Sequence, residues 1–171
     1  MIRWSMTAQR PVAIRYGKSS VDQSIDYPYD RFMPGKWEIL EQGDTCTILA
    51  VGSMVEFACT TRDLLQKLGI HAQVVNCSSV KPLDENLLCS LRQPIITMEE
   101  HMKIGGFGSN VTAFLAENKL PVPLITFGVP DTFVQHGTRA QLLKYLGLTP
   151  KQMAARIAAE LHNIAPQEET K

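Results

Sequence analysis

The sequence lacks several features that mark specialised classes of protein. Lys and Arg total 17 and Asp and Glu also total 17, so no net charge favours nucleic acid or an anionic membrane as the main partner. No apolar run reaches the roughly 18 residues of a membrane span, and the start, Met1-Ile2-Arg3-Trp4-Ser5-Met6, has no signal-peptide stretch. We therefore expect a cytoplasmic protein.

The four cysteines lack the spacing of a metal site. They stand at positions 46, 59, 77 and 89, with no CxxC pair and no histidine a few residues away, so no structural zinc site is expected. Cys46, Cys77 and Cys89 lie in apolar runs. They are predicted to be buried, reduced thiols, as in a cytosolic protein.

From Gly35 onward the chain contains an alternation of strand and helix patterns. Strands are predicted at residues 37–40, 45–51, 71–76, 95–98 and 122–127. Helices are predicted at residues 53–68, 84–91 and 109–117, and twice more near the C-terminus. The strands after residue 45 lack polar alternation, which is typical of strands buried on both faces. The pattern predicts an α/β fold, a three-layer α/β/α domain with a mostly parallel sheet of about five strands.

Three helix starts carry the residue pairs of a capping box. The pairs are Ser53 with Glu56, Thr138 with Gln141, and Thr149 with Gln152, the last with Pro150 at the first helical position. The face of the first of these helices that points to the core is predicted to carry Met54, Ala58, Thr61, Leu65 and Leu68.

Residues 1–34 do not follow this alternation. A short helix is predicted at residues 2–9 and an apolar strand at 11–16, and a lone helix and strand cannot form a core. Residues 17–34 are rich in Gly, Pro, Ser and Asp, which is typical of a linker. We expect residues 1–20 to belong to a preceding domain, 21–34 to be a linker, 35–162 to be the main domain and 163–171 to be a solvated tail.

Two polar segments are candidates for chemistry at the ends of strands. Glu99-Glu100-His101 follows a strand where α/β sheets place their ligands, so it could perform acid–base work, or its charges could be solvated or bonded to loop N–H groups. Asp131 and His136 lie in a later loop. Either His136 meets His101 in space, or the loop is an Asx-turn that forms a subunit contact.

A glycine-rich segment, Gly105-Gly106-Phe107-Gly108-Ser109, precedes a predicted helix. Free N–H groups at a helix start can hold a phosphate. The segment matches neither GxGxxG nor GxxxxGK[ST], and a tight turn that needs positive φ is the competing interpretation.

The chain resembles 1-deoxy-D-xylulose-5-phosphate synthases from about residue 5 to 161. The resemblance is carried by motifs in the family's order and at its spacing: Pro11 to Tyr16, Gly35 to Leu40, Ala50 to Val55, Val80 to Asp84, Glu99 to His101, Gly105 to Ser109 and Pro130 to Gly137. Gly52-Ser53-Met54 and Gly105 to Gly108 are shared with transketolases and with the β subunits of 2-oxo-acid dehydrogenases. The Pro130 to Gly137 segment favours the synthase.

The resemblance implies a domain similar to the C-terminal domain of transketolases, preceded in residues 1–20 by the end of a pyrimidine-binding domain. The complete enzymes of this family use thiamine diphosphate and magnesium. Their Gly-Asp-Gly…Asn motif and activating glutamate are absent from this sequence, so no cofactor is expected on this chain alone. A homodimer, an upstream thiamine-binding subunit or domain and a sugar phosphate substrate are the implied partners.

One substrate contact of the family falls inside the chain. The family has Tyr-Pro-Arg-Gly after the strand, with the arginine on the acceptor phosphate, where this sequence has Tyr16-Gly17-Lys18-Ser19. The resemblance implies that Lys18, assisted by Arg15, contacts the phosphate. Lysine neutralises a phosphate as a point charge without the bidentate fork of arginine. A transketolase-like enzyme with a different acceptor substrate is therefore an alternative.

Three functions are consistent with these observations. The first is the C-terminal part or split subunit of a synthase or transketolase, serving dimerisation and acceptor-phosphate contact. The second is a non-catalytic dimerisation or partner-binding module of the same fold, suggested by the altered residues 17–19. The third is the C-terminal half of a 2-oxo-acid dehydrogenase β subunit.

Overall fold

The computed structural model describes residues 1–17 and 32–164. The helices are α1 (Ile2–Thr7), α2 (Met54–Gln66), α3 (Glu85–Ser90), α4 (Phe107–Glu117), α5 (Arg139–Tyr145) and α6 (Pro150–Ile164). The strands are β1 (Glu38–Glu41), β2 (Cys46–Ala50), β3 (Ala72–Asn76), β4 (Ile95–Met102) and β5 (Leu124–Val129).

The five strands form one mixed sheet in the order β1-β3-β2-β4-β5. Strands β2 to β5 are parallel to one another, and β1 pairs antiparallel with β3 at the edge. Because the parallel strands all end on one side, the segments after β2, β3, β4 and β5 meet at a single carboxyl edge. The predicted mostly parallel α/β sheet is confirmed.

Two apolar cores cover the two faces of the sheet. On one face α2, α5 and α6 pack on side chains that include Ile48, Ile96 and Phe127. On the other face α3 and α4 pack on side chains that include Leu49 and Ile95. Consecutive residues of a strand point to opposite faces, so all five residues of β2 are buried. A fully buried Leu or Ile contributes about 1.5–3 kcal/mol, and this is why the strand shows no polar alternation.

The helix periodicity predicted for α2 agrees with its packing. Met54, Ala58, Thr61 and Leu65 are buried, whereas Leu68 lies beyond the end of the helix and is 61% exposed. No helix in the described ranges is both long and apolar enough to cross a membrane.

Several local predictions were wrong. Residues 11–17 form no strand, because no other described strand pairs with them and an isolated strand leaves its hydrogen bonds unmade. Cys46 and Cys77 are buried as predicted, but Cys89 is exposed, since Leu88 beside it takes the inward position on α3.

The helix starts also differ from prediction in part. The Thr138–Gln141 capping box is present at α5, and Pro150 opens α6. Ser53 precedes α2 without a side-chain capping hydrogen bond, and its backbone is helical (φ −61°, ψ −17°) where a capping residue is normally extended. The predicted linker lies mostly outside the described residues, as does the C-terminal tail, and the structure leaves the proposed domain boundaries untested.

Candidate functional site

The polar residues at the carboxyl edge of the sheet are centred on the end of β4. This strand runs to Met102, four residues beyond its predicted end, because it continues to pair with β5 where Met102 lies opposite Val129. Glu99 and Glu100 therefore belong to the strand and point to opposite faces. Each carboxylate has its own set of partners.

The Glu99 carboxylate bonds to the start of α4. The backbone N–H of Phe107 donates to Oε2 at 2.7 Å, and that of Gly108 donates to Oε1 at 2.8 Å. The first N–H groups of a helix have no carbonyl partner within the helix and carry the positive end of its dipole. Glu99 is only 3% exposed, so its charge is matched by these N–H groups and not by water.

Glycines make this close approach feasible. A Cβ on Gly106 would lie 2.3 Å from Glu99 Oε2, and a Cβ on Gly108 would lie 3.3 Å from Oε1 and 2.8 Å from Thr97 Oγ1. Gly105 has φ +73°, as the turn interpretation predicted. The glycine-rich segment thus serves a tight turn and the seating of Glu99.

The electrostatics of Glu99 reflect a balance of burial and hydrogen bonding. Burial raises the pKa of its carboxyl above the ordinary value, and the N–H groups of Gly108 and Phe107, together with the charges of His101 and Arg15, oppose that rise. Two of the N–H groups that a phosphate would need are already bonded to Glu99. Of the two interpretations of this glycine-rich segment, the geometry favours the turn.

The Glu100 carboxylate lies on the opposite face and joins three elements. Arg139, at the start of α5, donates to both oxygens at 2.7 and 2.6 Å, and the Ser53 hydroxyl donates to Oε2 at 2.7 Å. The guanidinium of Arg139 also lies 5.4 Å from the ring centre of Phe57. The hydrogen bonds from Arg139 are the main cause that lowers the pKa of Glu100, so this carboxylate is held ionised.

Sequence reasoning missed Ser53 and Arg139 as partners of Glu100. The sequence pattern predicts Ser53 as a helix cap and indicates no role for Arg139. One signal was available: Arg139 is in the first turn of its helix, where the dipole disfavours a cation, so a nearby carboxylate was to be expected.

The other predicted site residues are more dispersed. Arg15 is exposed, and its charge is the smallest of the contributions that act to lower the pKa of Glu99 and of Glu100. His101 is exposed and accepts a hydrogen bond at Nδ1 from the N–H of Met102. Asp131 and His136 are exposed in the loop after β5.

The structure does not unite the candidate histidines. In the ranges 1–17 and 32–164 no hydrogen bond joins His101 to His136, and Lys18 lies outside the described residues. The acid–base and phosphate roles of these residues remain predictions.

The described residues do not fit a diphosphate–magnesium cofactor. Across the described ranges no group of three His, Cys, Asp or Glu side chains is arranged to hold a metal ion. The N-terminus of α4, where a diphosphate could bind, is occupied by Glu99.

Comparison with known proteins gives a consistent result. Residues 35–153 match the family model described as transketolase, C-terminal domain. The chain is 48% identical over 151 residues to the 1-deoxy-D-xylulose-5-phosphate synthase of Trichodesmium erythraeum, covering 85% of this chain and 24% of that protein. For the synthase of Shouchella clausii the identity is 38% over 161 residues, covering 92% and 25%.

A solved structure is similar over nearly the whole chain. It is that of a split gene transketolase, in the form of an inactive β4 tetramer, with a TM-score of 0.86 and 36% identity. The match covers 94% of this chain and 53% of that one. The chain therefore spans about a quarter of the length of the curated relatives and about half of this structural neighbour.

Proposed function

The chain belongs to the transketolase C-terminal domain family, and from this premise we propose that it is the C-terminal part, or a separate subunit, of a thiamine-diphosphate-dependent enzyme. Its identity to 1-deoxy-D-xylulose-5-phosphate synthases, at 38–48% over most of the chain, is the observation that carries the proposal. The complete enzyme joins the two-carbon unit of pyruvate to glyceraldehyde 3-phosphate.

The division of labour follows from what the described residues can hold. They offer no metal cluster, and the N–H groups at the start of α4 are occupied, so the cofactor is bound by another domain or subunit. This chain alone is inactive. Its own contributions are assembly of the enzyme, as a homodimer or with a thiamine-binding partner, and contact with the phosphate of the acceptor.

The exposed N-terminal segment supports the role in assembly. None of the residues of α1 is buried, and Ile2, Met6 and Tyr16 are between 69 and 85% exposed. Apolar side chains gathered in one short segment favour burial against a partner. The existence of a split gene transketolase that forms a β4 tetramer is consistent with a partner in the form of a separate subunit.

The acceptor contact rests on Arg15 and Lys18. Cationic side chains can neutralise a phosphate, and the charge of Arg15 acts on both Glu99 and Glu100 at the end of β4. Lys18 follows three residues later. These two residues are the proposed substrate-phosphate ligands.

Reconstitution tests the proposal. This chain is mixed with the polypeptide encoded immediately upstream of it, and thiamine diphosphate, magnesium, pyruvate and glyceraldehyde 3-phosphate are added. We expect a complex on size-exclusion chromatography and carbon dioxide release that depends on both polypeptides. Absence of both the complex and the release would overturn the proposal.

Two further arms separate the alternatives. Replacing Lys18 by Ala is expected to raise KM for the acceptor by about tenfold or more, since a charge-assisted contact is worth about 1.5–3 kcal/mol. An unchanged KM would favour a non-catalytic module, which the altered residues 17–19 suggest. Activity with lipoamide and none with an aldehyde would favour a 2-oxo-acid dehydrogenase β subunit.

A further inference from the structure

We infer that Glu99 is a built-in anion for helix α4, and that it is the positioning residue which holds the loop of residues 103–106 in one conformation. The inference goes beyond the proposed function and does not depend on it, because every observation behind it belongs to this chain. Residues 103–106 join β4 to α4 at the carboxyl edge of the sheet.

The first argument is the burial of a charge with defined partners. A buried carboxylate without partners is strongly disfavoured, and Glu99 is 3% exposed. Its two oxygens each accept from one backbone N–H, of Phe107 and Gly108. Both N–H groups lie in the first turn of an 11-residue helix, where no helical carbonyl can accept from them.

The second argument is the shape of the surroundings. Gly106, Gly108 and Gly128 all have positions at which a Cβ would come within 3.3 Å of Glu99 atoms. The site therefore has room for the carboxylate and for little else. Three glycines around one side chain are expected when the side chain itself determines the path of the backbone.

The third argument is the way the loop closes. The backbone N–H of Gly105 donates to Ser109 Oγ at 3.1 Å, and that hydroxyl donates to the carbonyl of Lys103. These bonds join the loop to the first turn of α4, and Glu99 joins the same turn to β4.

Amide hydrogen exchange on the chain itself tests the inference. In the wild type we expect the N–H groups of Phe107 and Gly108 to exchange at least about tenfold more slowly than in Glu99→Ala or Glu99→Gln, because a hydrogen bond to a charged group is lost. The amides in the middle of α4 serve as an internal reference. Glu117→Gln, an exposed carboxylate at the other end of the same helix, is the matched control and should leave exchange unchanged.

Rescue by a small anion distinguishes positioning from general stability. Formate should slow exchange at Phe107 and Gly108 in Glu99→Ala, where it fills the vacated site, and chloride at the same ionic strength should not. Glu99→Gln keeps the shape of the side chain and should not respond to formate.

Two results would overturn the inference: equal exchange in the wild type and both variants, or no response of Glu99→Ala to formate. If Glu99→Ala does not fold, the wild-type and Glu99→Gln measurements still decide the matter.

Discussion

At the scale of single residues, two consecutive carboxylates of β4 meet opposite environments. Burial raises the pKa of Glu99, whereas hydrogen bonds from Arg139 and Ser53 lower the pKa of Glu100. The difference arises because neighbouring residues of a strand face different layers of the domain. A run of two glutamates thus has two separate structural roles.

Glu100 is expected to make stability depend on pH. A carboxyl whose folded pKa is lowered contributes stability above its unfolded pKa, and that contribution is lost as the pH falls through the folded value. The ordinary pKa is 4.5, so the loss should occur below about pH 4.5. Chemical denaturation of wild type and Glu100→Gln should show a difference in free energy of unfolding that is largest near neutral pH and shrinks in acid. A difference independent of pH would contradict this, and Glu117→Gln is the control.

These residues show which contacts can be predicted from the local sequence. The turn at Gly105 could be predicted, and bonding of the Glu99 to His101 segment to loop N–H groups was one of two stated alternatives. The contact of Glu100 with Ser53 and Arg139 could not be predicted in this way. Ser53 and Arg139 are 47 and 39 residues from Glu100 in the sequence, and the three meet only when the sheet is ordered. The capping rule predicts that Ser53 accepts from an N–H of its own helix, whereas its hydroxyl donates to Glu100.

At the scale of elements, the helix starts respond to local chemistry to different degrees. The capping box at α5 is complete: Thr138 accepts from the N–H of Gln141, and the Gln141 side chain accepts from the N–H of Thr138. These interactions lie within four residues, so the sequence predicts them well. Strand β4 was predicted four residues too short, because pairing with β5 carries it through polar residues.

The capping box at α5 should make a measurable contribution to the free energy of unfolding. Thr138→Ala removes the acceptor for the N–H of Gln141 and is expected to lower the free energy of unfolding by about 1 kcal/mol. Thr132→Ala, at an exposed loop position, is the matched control and should change it by less than about 0.5 kcal/mol. Equal effects of the two substitutions in urea denaturation would mean that the cap does not stabilise α5.

At the scale of the whole molecule, residues 35–164 and residues 1–17 differ in character. The two apolar cores are built from residues between Trp37 and Ile157, and none of the residues 1–17 is buried. The α/β architecture was predictable because alternating strand and helix patterns constrain the topology strongly. The absence of a strand at residues 11–16 was not predictable, since a strand needs a paired neighbour and the local pattern does not show whether one exists.

Deletion of residues 1–17 is expected to leave the domain folded. Because those residues contribute nothing to either core, the free energy of unfolding should change by less than about 0.5 kcal/mol. Association with the upstream polypeptide should weaken in the same variant, since its exposed apolar side chains are removed. A large loss of stability in guanidinium denaturation would show that the segment is part of the domain core.

Because Glu99 is part of the chain, the anion at the start of α4 is always present beside its binding site. A group tethered eight residues from its binding site is present at an effective concentration set by the chain, and even flexible tethers reach about the millimolar range. Glu99 is part of a strand of the sheet, so it reaches the start of α4 without any anion from solution. The geometry of this edge of the sheet is thus set by the chain itself.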